Sequence, residues 1–165
     1  MKKILFITLT AIALCACGST FKTAEEKAAY EQKLASQVAE KIENRRFTID
    51  VNYMKPRGDM PPRQVNGFSL ALKGDTVVSY LPYVGEVTTA YIASGETGLN
   101  FTAPVHDYAI TQPKPGLTRI QFTTRSKEDR YHFMVEVFGN GRSSIAVVGD
   151  SHQPIDFDGD MQLNY

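Results

Sequence analysis

Alternate carboxylates are the first chemistry this chain offers. Asp156-Phe157-Asp158-Gly159-Asp160 sets acids at positions one, three and five of a calcium loop. Such a loop then requires glycine at position six, and Met161 stands there instead. The polar face of a strand is the better account. His106, His132 and His152 are the other candidate ligands, but no two of them form a His-x-x-x-His or His-x-His pair, so their spacing does not describe zinc. Ser143 and Ser144 lack the Gly-x-Ser-x-Gly turn that raises a nucleophile above a sheet. Glycines fall in turns and never form a phosphate cradle ahead of a helix. These patterns predict no catalytic residue, no metal and no cofactor.

Two features survive that filter. Leu14-Cys15-Ala16-Cys17 matches the bacterial lipobox, in which a leucine and a small residue place a cysteine for acylation. It follows Lys2-Lys3 and an apolar run from Ile4 to Ala13, which is too short for the roughly twenty residues that span a bilayer core. Residues 1–16 therefore read as a lipoprotein signal peptide, with Cys17 the lipidated first residue of the mature chain. Gly18 follows the cysteine in place of an aspartate, so the expected location is the outer membrane of a cell envelope. The second feature is aromatic. Pro82 must end its strand, because proline donates no ladder hydrogen bond. Tyr80, Tyr83 and Tyr91 then fall near a sheet rim beside a glycine-containing loop, as a contact surface for a glycan, a peptide or an envelope protein, or as core rings whose hydroxyls reach solvent.

The elements that would position these residues follow from periodicity. After a tether over residues 17–23, residues 24–46 read as an amphipathic helix. Thr23 is its cap, Glu26 sits three residues on in a capping-box pattern, and Ala24, Ala28, Ala35, Val38, Ala39 and Ile42 form a narrow stripe with Leu34 on its shoulder. A stripe this small is expected to dock on the protein's own sheet. From Phe47 the period changes to two, and residues 47–165 form the β domain. Lys55 to Gln64 reads as a loop, Gly74-Asp75 as a hairpin turn, and residues 83–98 as no clear element. Leu99–Thr102 and Asp107–Thr111 read as two short strands parted by Pro104. Asn140-Gly141 is a two-residue hairpin signal. Short links make consecutive strands antiparallel neighbours, which gives a meander of about eight or nine strands. The fold class is α+β, mainly β: an antiparallel meander, open or curled into a half-barrel or sandwich, with one N-terminal amphipathic helix.

Composition narrows the function classes. The chain has 165 residues, 42% of them hydrophobic, with 18 basic and 18 acidic side chains. Loss of Lys2 and Lys3 with the signal leaves 16 basic against 18 acidic groups, which excludes the basic footprint of a nucleic-acid binder. Cys15 leaves with the signal and Cys17 is consumed by acylation, so no thiol remains for a disulfide or a nucleophile. The expected role is a non-catalytic binding or structural module held at the membrane by its N-terminal lipid. A lipid carrier or assembly factor built on a hollow half-barrel is the alternative, and an envelope hydrolase the remoter one.

Three segments carry a resemblance: residues 74–85 around Tyr80-Leu81-Pro82-Tyr83, then Gly98-Leu99-Asn100-Phe101, then Gly141-Arg142-Ser143-Ser144-Ile145. Over roughly residues 45–163 the chain resembles the bacterial envelope family catalogued as domain of unknown function 4251, small lipoproteins of Bacteroidetes with the same order of signal, helix and strands. The resemblance implies the fold class and the location. It carries no activity.

Overall fold

A computed structural model describes residues 23–85, 98–127 and 129–164. Helix α1 spans Ala24–Glu43. Eight strands follow: β1 Arg46–Pro56, β2 Arg63–Lys73, β3 Thr76–Leu81, β4 Leu99–Lys114, β5 Leu117–Arg125, β6 Arg130–Phe138, β7 Arg142–Gly149 and β8 Ile155–Met161. Each pairs antiparallel with its sequence neighbour. The sheet then closes on itself, because β1 also pairs antiparallel with β8, Ile49 opposite Met161 and Pro56 opposite Ile155. The expected antiparallel meander is present, but it is a closed barrel rather than an open sheet, half-barrel or sandwich. Closure requires strands far apart in sequence to meet, and a period-two pattern within one strand carries no record of that.

Along each strand, inward residues alternate with outward ones, as in β6, where Tyr131, Phe133, Val135 and Val137 are buried between exposed neighbours. Phe122 and Phe133 stack with centroids 4.9 Å apart, and Ile49, Val77, Ile120, Val135, Ile145 and Phe157 are wholly buried. Side chains lining a void large enough for water would be accessible to it. These are not, so the interior they line is filled.

Three local boundaries differ from expectation. The two short strands predicted on either side of Pro104 are one long β4. Its upper half pairs with β3, Pro104 opposite Thr76, and its lower half with β5 from Val105 opposite Thr124. Pro104 sits where the strand passes from one partner to the other, so its missing N–H breaks no ladder bond. The loop expected over 55–64 shrinks, since β1 runs to Pro56 and β2 starts at Arg63. Helix α1 stops at Glu43, short of residue 46: Asn44 caps it, and Arg45 turns the chain with φ 50°. The Arg45 carbonyl accepts from the Gly74 N–H at 2.8 Å, and its guanidinium meets Asp75 at 2.7 Å and lies 4.2 Å from the centre of the Tyr108 ring.

The helix starts with the expected capping box. Thr23 Oγ1 accepts from the Glu26 N–H at 3.1 Å, and Glu26 Oε2 accepts from the Thr23 N–H at 3.2 Å. Its buried stripe is Leu34, Val38 and Ile42, whereas Ala24, Ala28, Ala35 and Ala39 are exposed. Larger apolar side chains at i, i+4 and i+8 gain more by burial than the alanines beside them, and they set the docking face. Gln37 seals the contact, its side chain bonded to both the N–H and the carbonyl of Asn164 at 2.9 and 3.0 Å. Helix α1 thus caps the barrel end that holds the β2–β3, β4–β5 and β6–β7 turns. The opposite rim is formed by the other four connections. Among the described residues no helix is long and apolar enough to cross a membrane.

Candidate functional site

The rim opposite α1 is organised by one carboxylate. Between β5 and β6 the chain turns over Ser126 to Asp129, with the Ser126 N–H donating to the Asp129 carbonyl at 2.9 Å. Asp129 Oδ1 accepts from the Arg130 N–H at 2.9 Å. Its Oδ2 accepts from the Ser151 N–H at 2.9 Å and meets His152 Nδ1 at 2.7 Å. The side chains of Asp129 and His152 are only 4% and 14% exposed. Burial pushes the Asp129 carboxyl up; the His152 contact and the two backbone donors outweigh it and hold it below the ordinary carboxylate value. Tyr83 sets its ring edge-on to His152 at 5.1 Å, Tyr131 lies at 5.4 Å, and the Tyr83 hydroxyl donates to the Gln153 carbonyl at 3.3 Å. A side chain on Gly149 would begin 2.8 Å from Asp129 Oδ2 and 3.0 Å from His152 Cβ. Only glycine lets the β7–β8 loop come this close. The chemistry is that of a staple joining two loops. Among the described residues His152 makes no second hydrogen bond, and no group of three metal-ligating side chains gathers.

Beside the staple the barrel wall is notched. β5 ends at Arg125, while β4 continues past it to Leu99, so among the described residues the upper half of β4 has β3 on one side and no strand on the other. The gap is about 630 Å³ and is lined by consecutive β4 residues from Asn100 to Pro104, and by His106, Arg125, Ser126, Lys127 and Tyr131. Phe101 stacks on Tyr131 at 5.1 Å with planes 9° apart. Among the described residues the lining holds two permanent cations and a histidine and no carboxylate. Arg130 lies directly opposite Arg125 across the β5–β6 pair. Like charges facing each other on a sheet repel. Neither arginine is in an ion pair among the described residues.

The family model for domain of unknown function DUF4251 matches residues 29–161. The chain belongs to the DUF4251 family. No curated protein matches it. Among solved structures it is similar to the crystal structure of a DUF4251 family protein from Bacteroides eggerthii DSM 20697, with a TM-score of 0.64 at 11% identity, over 81% of this chain and 89% of that one. At that identity the likeness concerns the fold.

In this DUF4251 protein the two described tyrosines of the expected surface, Tyr80 and Tyr83, have different neighbours. Tyr80 points outward from β3, half-exposed, and stacks on Phe68 at 5.3 Å. Tyr83 instead packs on His152, and Pro82 follows the end of β3, as expected of it. Tyr91 and Cys17 lie outside the described residues. The three histidines do not form one cluster: His106 and His132 flank Thr123 in register and border one shallow hollow, His106 also lines the notch, and His152 is held by Asp129. Asp156 and Asp158 sit on β8 and pair with Arg57 and Lys55, while Asp160 accepts from Asn52 at 2.7 Å. That is the polar strand face expected of them. Ser143 is buried, its hydroxyl donating to the Gly141 carbonyl at 2.9 Å. Sequence reasoning missed Asp129, Phe101, Arg125 and Lys127. One signal was available, since Arg125 and Arg130 flank the predicted turn over 126–129 and must therefore oppose each other.

Proposed function

We propose that this DUF4251 protein is a non-catalytic binding module of the cell envelope, carried on the outer membrane by acylated Cys17, with the notched rim as its contact surface. The observation that carries this reading is the notch: a concave gap of pocket size, with stacked rings, cations that form no ion pair among the described residues and a stapled edge, at the end of the barrel away from α1. The Asp129–His152 pair is explained as a loop staple and leaves the rim without an activated nucleophile among the described residues. The filled interior argues against the hollow lipid carrier. Confinement by a lipid favours the binding reading, because weak contacts near a surface gain effective concentration.

Two experiments test it. Metabolic acyl labelling should be lost in Cys17→Ser, and unchanged labelling removes the anchor. Envelope extracts passed over wild type and an Arg125→Ala, Lys127→Ala double variant should differ in what they retain. A folded variant that keeps every partner removes the rim, and turnover of a glycan, peptide or lipid by the purified protein removes the non-catalytic reading.

A further inference from the structure

The direction of the β4 backbone identifies what the notch can hold. The Leu99 carbonyl accepts from Ser79 Oγ on β3 at 2.6 Å, and the Val105 N–H donates to the Asp75 carbonyl at 2.9 Å, so the odd-numbered residues of upper β4 turn their polar groups toward β3. The Pro104 carbonyl, in contrast, accepts from Thr124 Oγ1 on β5 at 2.8 Å. In an antiparallel strand the N–H and C=O of one residue point to the same side, and successive residues alternate. Asn100 and Thr102 therefore aim both groups into the notch, and among the described residues nothing bonds to them. This is a short strand edge with its hydrogen-bonding row open. The lining confirms the geometry: Asn100, Phe101, Thr102 and Ala103 all border the gap, and neighbouring residues of both faces meet one cavity only along an edge.

On the reading of the rim as a binding surface, we propose that the notch takes an extended acidic peptide, which adds as a strand along Asn100–Pro104. Backbone pairing to Asn100 and Thr102 supplies affinity without regard to sequence, as in other strand-addition complexes. Charge selects the partner. Carboxylates on the outward positions of the added segment reach Arg125, Arg130 and Lys127, relieving the repulsion between the opposed arginines. Its inward positions rest against Phe101 over Tyr131. A basic or neutral peptide of the same shape gains the backbone bonds and loses the charge pairing, so it binds more weakly.

The test uses the full chain and capped hexapeptides that alternate glutamate with valine, against the same peptides with lysine for glutamate and with alternate backbone amides methylated. The glutamate peptide should bind, shift the Asn100 and Thr102 amide resonances, and weaken as salt is raised. Amide methylation should cost at least tenfold in affinity, and Arg125→Ala with Arg130→Ala a comparable factor. Three results overturn the proposal: equal binding of the methylated peptide, which reduces the notch to a charge site; slow hydrogen exchange at Asn100 and Thr102 in the free protein, which means the edge is already covered; or no binding of the glutamate peptide. In the last case, if the arginine variants still lose envelope partners, the rim stands and only the peptide is wrong. If they lose none, both fall.

Discussion

Asp129 joins three donors from two loops, and its removal should be felt both in stability and in its pH dependence. The fold holds its carboxyl below the ordinary value of about 3.9. The ionised form is thus favoured in the folded state, and the stability it contributes is complete above the unfolded value and is lost as pH falls through the folded one. Asp129→Asn should cost about 1–3 kcal/mol at pH 7. It should also flatten the decline of stability below about pH 4, both read from urea titrations at several pH values. Gly149→Ala tests the same contact from the other side. Its new methyl would press on Asp129, His152 and the Tyr131 ring, and the expected loss is again about 1–3 kcal/mol. The contact itself was not read beforehand. Asp129 and His152 are 23 residues apart in the chain, and the register of the β6–β7 hairpin, with Tyr131 opposite Gly149, sets their loops side by side. His152 could be named as titratable but not as stapled. The Leu14-Cys15-Ala16-Cys17 pattern, by contrast, is contiguous, so the proposal of a lipobox needs no fold.

Strands β5 to β7 and the start of α1 are where local sequence and tertiary structure agree. The capping box at Thr23 and the turns at Gly74, Asn140 and Gly141 are encoded within four residues each, so they could be read directly. The helix face could not. Leu34, Val38 and Ile42 win the docking position because of what lies beneath them, and an alanine stripe looks as regular from outside. Likewise β4 crosses a proline because its partner changes there, a fact held by β3 and β5 rather than by β4. Val135→Asp or Phe122→Asp should unfold the domain outright, since either buries an unpaired charge among stacked rings. Thr23→Ala should cost only about 1 kcal/mol. Gly159→Ala should be far worse than an ordinary surface change, because its Cβ would collide with the Asp50 carbonyl where β1 shifts register against β8. Thermal melts followed by circular dichroism rank these variants.

The barrel is assembled without covalent help. Residues 23–164 contain no cysteine, so melts with and without reductant should superimpose, and a shift with oxidant would contradict the sequence. Its stability rests on the ring of strands, and on the meeting of β1 with β8 above all, a pairing that draws together segments about a hundred residues apart and is slow for that reason. Among the described residues one edge of upper β4 has no strand partner, and a protein held on a membrane by the proposed lipid would meet copies of itself there. Two such edges could zip together antiparallel. The cations beside the notch stand against that outcome: bringing two rims face to face would crowd Arg125, Lys127 and Arg130 of both copies, and edge charges of this kind are a known defence against aggregation. Charge reversal at Arg125 and Lys127 in one population should therefore make mixed dimers with the unaltered protein, visible by sedimentation, while each alone stays monomeric. The same three side chains would then decide both which strand is admitted and which is refused.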